Sequence, residues 1–246
     1  MIDSRKKWLI VNADDFGQSP GVNQGVIETH ERGIVTSASL MVRWPAAAEA
    51  AAYGKRHPNL SLGLHVDLGE WVYIDGMWVA LYEVIELNDV TAVKAEVLRQ
   101  LDTFHALVGT KPSHLDSHQH VHLKAPVRLA LVEIARANCI PLRHCSPEVR
   151  YCGEFYGQSA EGHSLPDAIS LDSLLRIFAT LSSGVTELAC HPSKSDDLDT
   201  MYRAERVKEL MVLCDSRVMS AVACAGINLK SFNDLRPAHH RREVSA

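Results

Sequence analysis

W-L-I-V-N-A-D-D-F-G-Q-S-P, from Trp8 to Pro20, holds a complete structural unit. Trp8–Ala13 is an apolar run of strand length bounded by charge, so it reads as a buried β-strand. Ser19 before Pro20 reads as an N-cap with proline at the first helical position, and Gly33 closes the helix so opened. Between strand and helix, at the carboxyl end of the strand, stand Asp14 and Asp15. The theme of strand, polar strand end and helix recurs along the chain.

Working outward, V-T-S-A-S-L-M-V (Val35–Val42) and L-S-L-G-L-H-V-D-L (Leu60–Leu68) read as the second and third strands. The fourth is S-H-L-D-S-H-Q-H-V-H-L (Ser113–Leu123), and P-L-R-H-C-S (Pro141–Ser146) is the fifth. Val185–Pro192 is the sixth and I-N-L-K-S-F (Ile227–Phe232) the seventh. Helical spacing separates them, as in V-K-A-E-V-L-R-Q-L-D-T-F-H-A-L (Val93–Leu107) and Val127–Ala137. Two stretches break the rhythm: Gly69–Asp89, rich in aromatics and carrying a turn-like Asp75-Gly76, and Tyr151–Pro166.

No linker or composition break interrupts the series, so residues 1–246 are expected to form one domain, with a polar tail from about residue 236. Alternating strands and helices imply an α/β fold with a parallel sheet and right-handed crossovers. The expectation is a TIM-like (β/α) barrel of seven strands, imperfectly closed, with an open doubly wound sheet as the alternative. No glycine-rich nucleotide loop follows a strand.

A 246-residue chain needs no disulfide or structural metal to support its core, so a bound metal would serve chemistry. The net charge of −5 argues against nucleic acid, and the basic run of note, Arg241–Arg242, falls in the tail. Six cysteines without a C-x-x-C pair are expected as free thiols of a reducing compartment. The N-terminal apolar run is too short for a signal segment, and no stretch reaches membrane-helix length. These features lead us to expect a cytoplasmic protein without a membrane span.

The polar residues fall where a parallel barrel would gather them. Asp14 and Asp15 end the first strand, His65 and Asp67 the third, Asp116 and His118 the fourth, and His191 the sixth. Carboxyl-terminal strand ends meet on one face, which builds the active site in barrel enzymes. Any of these residues alone has a bland explanation: a strand-end turn, a hydrogen-bonded core histidine, a solvated imidazole. Together on one rim they favour a divalent metal, because an aspartate with two histidines is a common ligand set that leaves a position open. Residues at i and i+2 of a strand share a face, which aligns Asp116 with His118; His118 and His122 would align if the chain turns helical. Asp67 and Asp116 are candidates to orient the ligand imidazoles.

N-A-D-D-F-G (Asn12–Gly17), G-L-H-V-D-L (Gly63–Leu68), H-L-D-S-H-Q-H-V-H (His114–His122) and E-L-A-C-H-P (Glu187–Pro192) resemble, in order, the motifs of the YdjC-like carbohydrate deacetylases. The resemblance runs from Trp8 to about Leu235 and includes Y-R-A-E-R-V-K-E-L near the end. It implies a TIM-like barrel and a metal-dependent hydrolase that removes an N-acetyl group from an amino sugar or short oligosaccharide. Carried over by position, Asp15, His65 and His118 match the ligands of one divalent ion, zinc or magnesium. Asp14 matches the catalytic base, and His191 falls where the acid is expected. The aspartate pair also resembles that of the wider NodB-type deacetylases, whose H-x-x-x-H motif fits His118 and His122, so His122 stays open as an alternative ligand.

The aromatics of the two irregular stretches are candidates for the sugar pocket: Trp71, Trp78 and Tyr82 on one side, Tyr151, Phe155 and Tyr156 on the other. Packing in a homodimer interface or a lid is an equally good use for them. A metal-dependent phosphoesterase or another amidohydrolase on the same barrel is the alternative enzyme, and it would call for an Arg/Lys clamp that the sequence does not display clearly. A non-catalytic sugar-binding barrel is the alternative from another class, but it has no need of Asp14 beside the ligands.

Overall fold

The computed structural model describes Asp3 and residues 5–235; the expected polar tail, with Arg241–Arg242, lies outside the described residues. The Trp8–Pro20 reading holds. Strand β1 (Lys7–Phe16) leads into helix α1 (Pro20–Arg32), whose N-cap Ser19 accepts a hydrogen bond from the Val22 N–H. Strand β2 (Ser37–Leu40), helix α2 (Ala47–Arg56) and strand β3 (Ser61–Val66) follow.

The first irregular stretch is more ordered than expected. It forms an antiparallel hairpin, β4 (Gly69–Ile74) and β5 (Met77–Glu83). The turn is Asp75-Gly76, with φ of 51° and 83°. Positive φ at both central residues matches the twist of paired strands, which is why Asp-Gly serves there. The hairpin leaves the main sheet and forms its own two-stranded sheet.

Helix α3 (Val90–Val108), capped by Asp89, leads to the short strand β6 (Leu115–Ser117) and then helix α4 (Ala125–Asn138). The expected fifth strand at Pro141–Ser146 is reduced to one bridge, Leu142 to Leu115. The N–H groups of Cys145 and Ser146 turn back to the Leu142 carbonyl, and His144 has φ of 61°. That turn ends the ladder, and the pairing resumes later as β7 (Val149–Cys152), at the edge of the second irregular stretch. Helix α5 (Leu171–Thr180), strand β8 (Gly184–Cys190), helices α6 (Ala204–Leu213) and α7 (Ser216–Cys224), and strand β9 (Ile227–Leu229) complete the chain.

Every pair in the main sheet is parallel, in the order β6-β3-β2-β1-β8-β7, with β9 joining the amino-terminal half of β1. The seven strands make a curled half-barrel rather than a closed barrel: among the described residues the edge strands β6 and β7 do not pair with each other. β1 and β3 are buried on both faces, as crossover helices on a parallel sheet require. The polar residues on these strands cluster at one end.

Candidate active site

A cavity of about 610 Å³ opens over the carboxyl ends of the strands and is lined by Asp14, Asp15, His65, His118, His191 and Arg206 among others. The delivery of both Asp14 and Asp15 needs a local explanation, since neighbours on a strand normally face opposite sides. The register of β1 on β2 slips between Ala13 and Phe16, and Asp15 takes a left-handed backbone with φ of 63°. This bulge turns both carboxylates toward the cavity. Such a conformation is costly for a residue with a side chain and is typical of functional positions.

Asp15 is the hub. Its Oδ1 lies 3.1 Å from His65 Nε2 and 2.9 Å from His118 Nδ1, and its Oδ2 accepts a 2.6 Å bond from Arg206 Nη2. His65 turns its other nitrogen, Nδ1, to Asp116 Oδ1 at 2.7 Å. Burial opposes a charge on His65, yet Asp116 and Asp15 lift its imidazole to about 10. Burial likewise opposes a charge on His118, but Asp15 and Glu70 raise its basicity well above the ordinary value. Both rings therefore sit where a positive charge is strongly favoured.

These three residues could hold a divalent ion. For metal–nitrogen distances of about 2.0–2.1 Å, ligand atoms should stand roughly 2.9–3.4 Å apart, which matches both spacings from Asp15 to the histidines. His118 Nε2 is buried without a hydrogen-bond partner, 3.6 Å from Glu70 Oε2. Asp14, His65 and Asp116 also converge closely enough to hold an ion. Arg143 already supplies that second group with its cation: its guanidinium pairs with Asp14 at 2.6 Å, Asp116 at 2.9 Å and Glu187 at 2.6 Å. The Asp15 group is the better candidate metal centre. Asp116 is then the carboxylate behind a ligand histidine, an arrangement that fixes the imidazole and raises its basicity.

Asp14 is held differently. Arg143 grips it with two bonds, at 2.6 Å and 2.8 Å, and Asn12 adds a third at 2.8 Å. Burial would protonate this carboxyl, but Arg143 outweighs it and keeps Asp14 below its ordinary range. The result is a buried, ionised carboxylate beside the Asp15, His65 and His118 group and outside it. His191 Nε2 lies 3.7 Å from Asp14 Oδ2, and its Nδ1 has no hydrogen-bond partner. Burial pushes the His191 imidazole down to about 4.

The remaining expectations sort cleanly. His122 stands outside the Asp15 group: its Nδ1 meets Ser117 Oγ at 2.6 Å, and its ring lies beside His120 and His144. The chain after Ser117 does not continue as a regular helix, because Gln119 and His120 have positive φ, so the four-residue spacing of His118 and His122 does not align them. Asp67 faces Arg43, Trp44 and Tyr82 rather than an imidazole. Trp71, Trp78, Tyr151, Phe155 and Tyr156 line the cavity. Tyr82 is not part of that lining; its hydroxyl donates to Asp67 Oδ1 at 2.9 Å.

Arg143, Arg206, Glu70, Glu187 and Glu209 escaped the sequence reading, although all five are buried around the site. Arg143 carried a usable signal, a charge inside an apolar, strand-like segment. Glu187 lay within a quoted motif but was given no role. Arg206 is one charge among several on a helix, and nothing local marks it.

The family model for YdjC-like proteins matches residues 8–223, and the chain belongs to this family. It is 32% identical to the carbohydrate deacetylase of Geobacillus stearothermophilus over 93% of this chain and 98% of that one. It is also 32% identical to the chitooligosaccharide deacetylase of Serratia marcescens, over 94% of this chain and 100% of the other. Among solved structures, a protein of Enterococcus faecalis assigned provisionally to cellobiose-phosphate cleavage shares the fold with a TM-score of 0.75. That likeness comes with 27% identity over 94% of this chain and all of the other.

Proposed function

We propose that this protein is a metal-dependent carbohydrate N-deacetylase acting on an N-acetylated amino sugar or short oligosaccharide. The observation that carries the reading is Asp14: an ionised carboxylate in the cavity, adjacent in sequence to Asp15 and free of its ligand group. A binding protein has no use for that residue in that state. A phosphoesterase is less well supported, since the buried Arg143 is taken up by three carboxylates of the site.

In this reading Asp15, His65 and His118 hold one divalent ion, with zinc favoured by two imidazoles and magnesium as the alternative. When bound, the ion supplies Lewis acidity for water and for the acetyl carbonyl. Asp14 takes the proton from the attacking water. Arg143 holds Asp14 in its charged, accepting form and fixes its direction. A new bond joins the water oxygen to the acyl carbon, and the C–N bond breaks as the nitrogen gains a proton. His191 starts neutral and lies 3.7 Å from Asp14, so it can receive that proton and pass it to the leaving amine. The products are an amino sugar and acetate. Trp71, Trp78, Tyr151 and Tyr156 line the cavity and offer flat faces to a pyranose ring.

Residues 1–246 are proposed as one domain. A cytoplasmic site of action is proposed from the free cysteines, and no helix among the described residues is long and apolar enough to cross a membrane. A homodimer is proposed through the outer face of the hairpin, where Ile74, Met77, Val79 and Leu81 stand exposed. Sedimentation of the wild-type protein checks the dimer. The function is tested by acetate release from a panel of N-acetylated mono- and oligosaccharides. Release that stops on chelation and returns with added zinc or magnesium supports it; no release from any member refutes it.

A further inference from the structure

Arg206 reaches the cavity from α6 and is buried within its wall. Its Nε donates to the Tyr202 carbonyl at 2.8 Å, and its Nη2 donates to Asp15 Oδ2 at 2.6 Å. Its Nη1 is buried and has no acceptor. Two N–H bonds of a charged group are thus left unpaired inside the protein. That is expensive, because a buried donor without a partner forfeits its full desolvation cost. Neighbouring polar atoms are otherwise engaged: Glu209 accepts from the His191 N–H and the Tyr202 hydroxyl. A group so placed calls for an oxygen acceptor brought by the ligand.

We propose that Arg206 is a substrate-contacting residue whose Nη1 donates to the acyl oxygen, the amide carbonyl in the substrate and the carboxylate in the acetate product. The inference rests on the deacetylase reading and names a second role for a residue that also steadies Asp15. The guanidinium is rigid and planar, so fixing Nη2 on Asp15 fixes the direction of Nη1 as well. Asp15, which takes the Nη2 arm, also belongs to the candidate metal centre, so the same guanidinium carries Nη1 beside that centre. Charge growing on the acyl oxygen during hydrolysis would strengthen the bond, which is the property that accelerates a reaction rather than merely binding its substrate. After C–N cleavage the same donor holds acetate.

The test is calorimetric titration of sodium acetate into zinc-loaded wild-type and Arg206→Lys proteins, with zinc affinity measured in parallel. Lysine keeps a cation beside Asp15 and loses the second arm. Zinc affinity should stay within about threefold, while acetate affinity should fall about tenfold or more, as expected for a hydrogen bond from a charged donor. Should the variant fail to fold, the wild-type protein still answers: the Arg206 guanidinium ¹⁵N resonances should shift on adding acetate and stay fixed on adding chloride. Unchanged acetate affinity, an unmoved resonance, or zinc and acetate affinities falling in step would overturn the proposal, the last by reducing Arg206 to a support for Asp15. A wild-type protein that releases acetate from N-acetylated sugars yet shows no Arg206 response would sink this inference and leave the deacetylase reading standing. No release from any sugar would strike the reading itself, and the inference with it.

Discussion

At the floor of the cavity, Asp14, Asp15 and Asp116 are each held from two or more directions by Arg143, Arg206, Asn12, Ser39 or a histidine. At the rim, Trp78 rides a two-stranded hairpin and is half exposed. The floor stands on a parallel sheet that fixes its backbone; the wall stands on a hairpin that would be marginal by itself. Chemistry that depends on fractions of an ångström belongs on the first. Recognition of a flat sugar ring, which tolerates adjustment, belongs on the second. The contrast predicts that floor substitutions act on metal content and turnover, and wall substitutions on substrate affinity.

The largest effect should come from the metal group. His65→Ala and His118→Ala should each lower metal stoichiometry from one to near zero and bring deacetylation to background, measured by elemental analysis beside an acetate assay. His122→Ala should keep the metal. Loss of the ion only in the His122 variant would move the centre away from Asp15 and break the account of the floor.

Asp14→Asn comes next. It removes a base and leaves the ligands in place, so metal content should hold while turnover falls by about 10²–10⁴-fold. Arg143 would lose its charged partner but keep Asp116 and Glu187. Near-normal turnover would show that another group accepts the water's proton.

How far this division was visible in the sequence depends on the same contrast. The strand ends carrying Asp14, Asp15, His65, Asp116, His118 and His191 could be placed because apolar runs mark strands, and a parallel sheet sends their carboxyl ends to one face. Asp116 was expected to orient an imidazole, and it does so at His65 rather than at His118, with which strand spacing aligned it. The slip at Asp15 could not be seen, since a single left-handed residue leaves no periodic trace. Nor could the turn at His144 that ended the expected fifth strand and opened the half-barrel. Asp67 and His122 were credited with roles by spacing alone; one is engaged by Arg43 and the other by Ser117. The arginines lay beyond reach because their value comes from partners distant in the chain, as with Arg206 and Asp15. The walls were identified by aromatic content, which located Trp71 and Trp78 but also included Tyr82, whose hydroxyl faces Asp67.

A smaller effect should appear in the pH dependence of stability, and it separates the floor from its support. Glu209, beneath His191, is buried, and burial pushes its carboxyl from 4.5 up to about 8. The fold therefore favours its neutral form. Its contribution is complete below about pH 4.5 and is lost as the pH rises through about 8. Burial raises Glu187 to about 7, which adds a loss of the same sign at lower pH. From pH 7 upward the urea midpoint of the wild-type protein should fall, because Glu209, His65 and His118 all hold protons that the unfolded chain has released. Glu209→Gln, which mimics the neutral acid, should flatten the upper part of that fall. An equally steep decline in the variant would assign the loss to other groups.

The smallest effect concerns the wall. Trp78 lines the cavity and meets Tyr73 edge-on at 5.5 Å across the hairpin. Trp71 is held more firmly: Gln119 bonds its main-chain N–H and carbonyl, and Lys124 Nζ lies 4.6 Å from its ring centre. If Trp78 serves as a platform for the sugar, it contacts a part of the substrate that does not change during amide hydrolysis. Its interaction is then the same in the ground and transition states, and removing it should raise KM without altering kcat. An aromatic contact of about 0.5–1.5 kcal/mol corresponds to a rise of roughly two- to tenfold. Trp78→Ala should show that pattern, with metal content and thermal midpoint near those of the wild type because the ring is already half in solvent. A fall in kcat at constant KM would mean that the hairpin positions the reacting amide, and floor and wall would then have to be treated as one device.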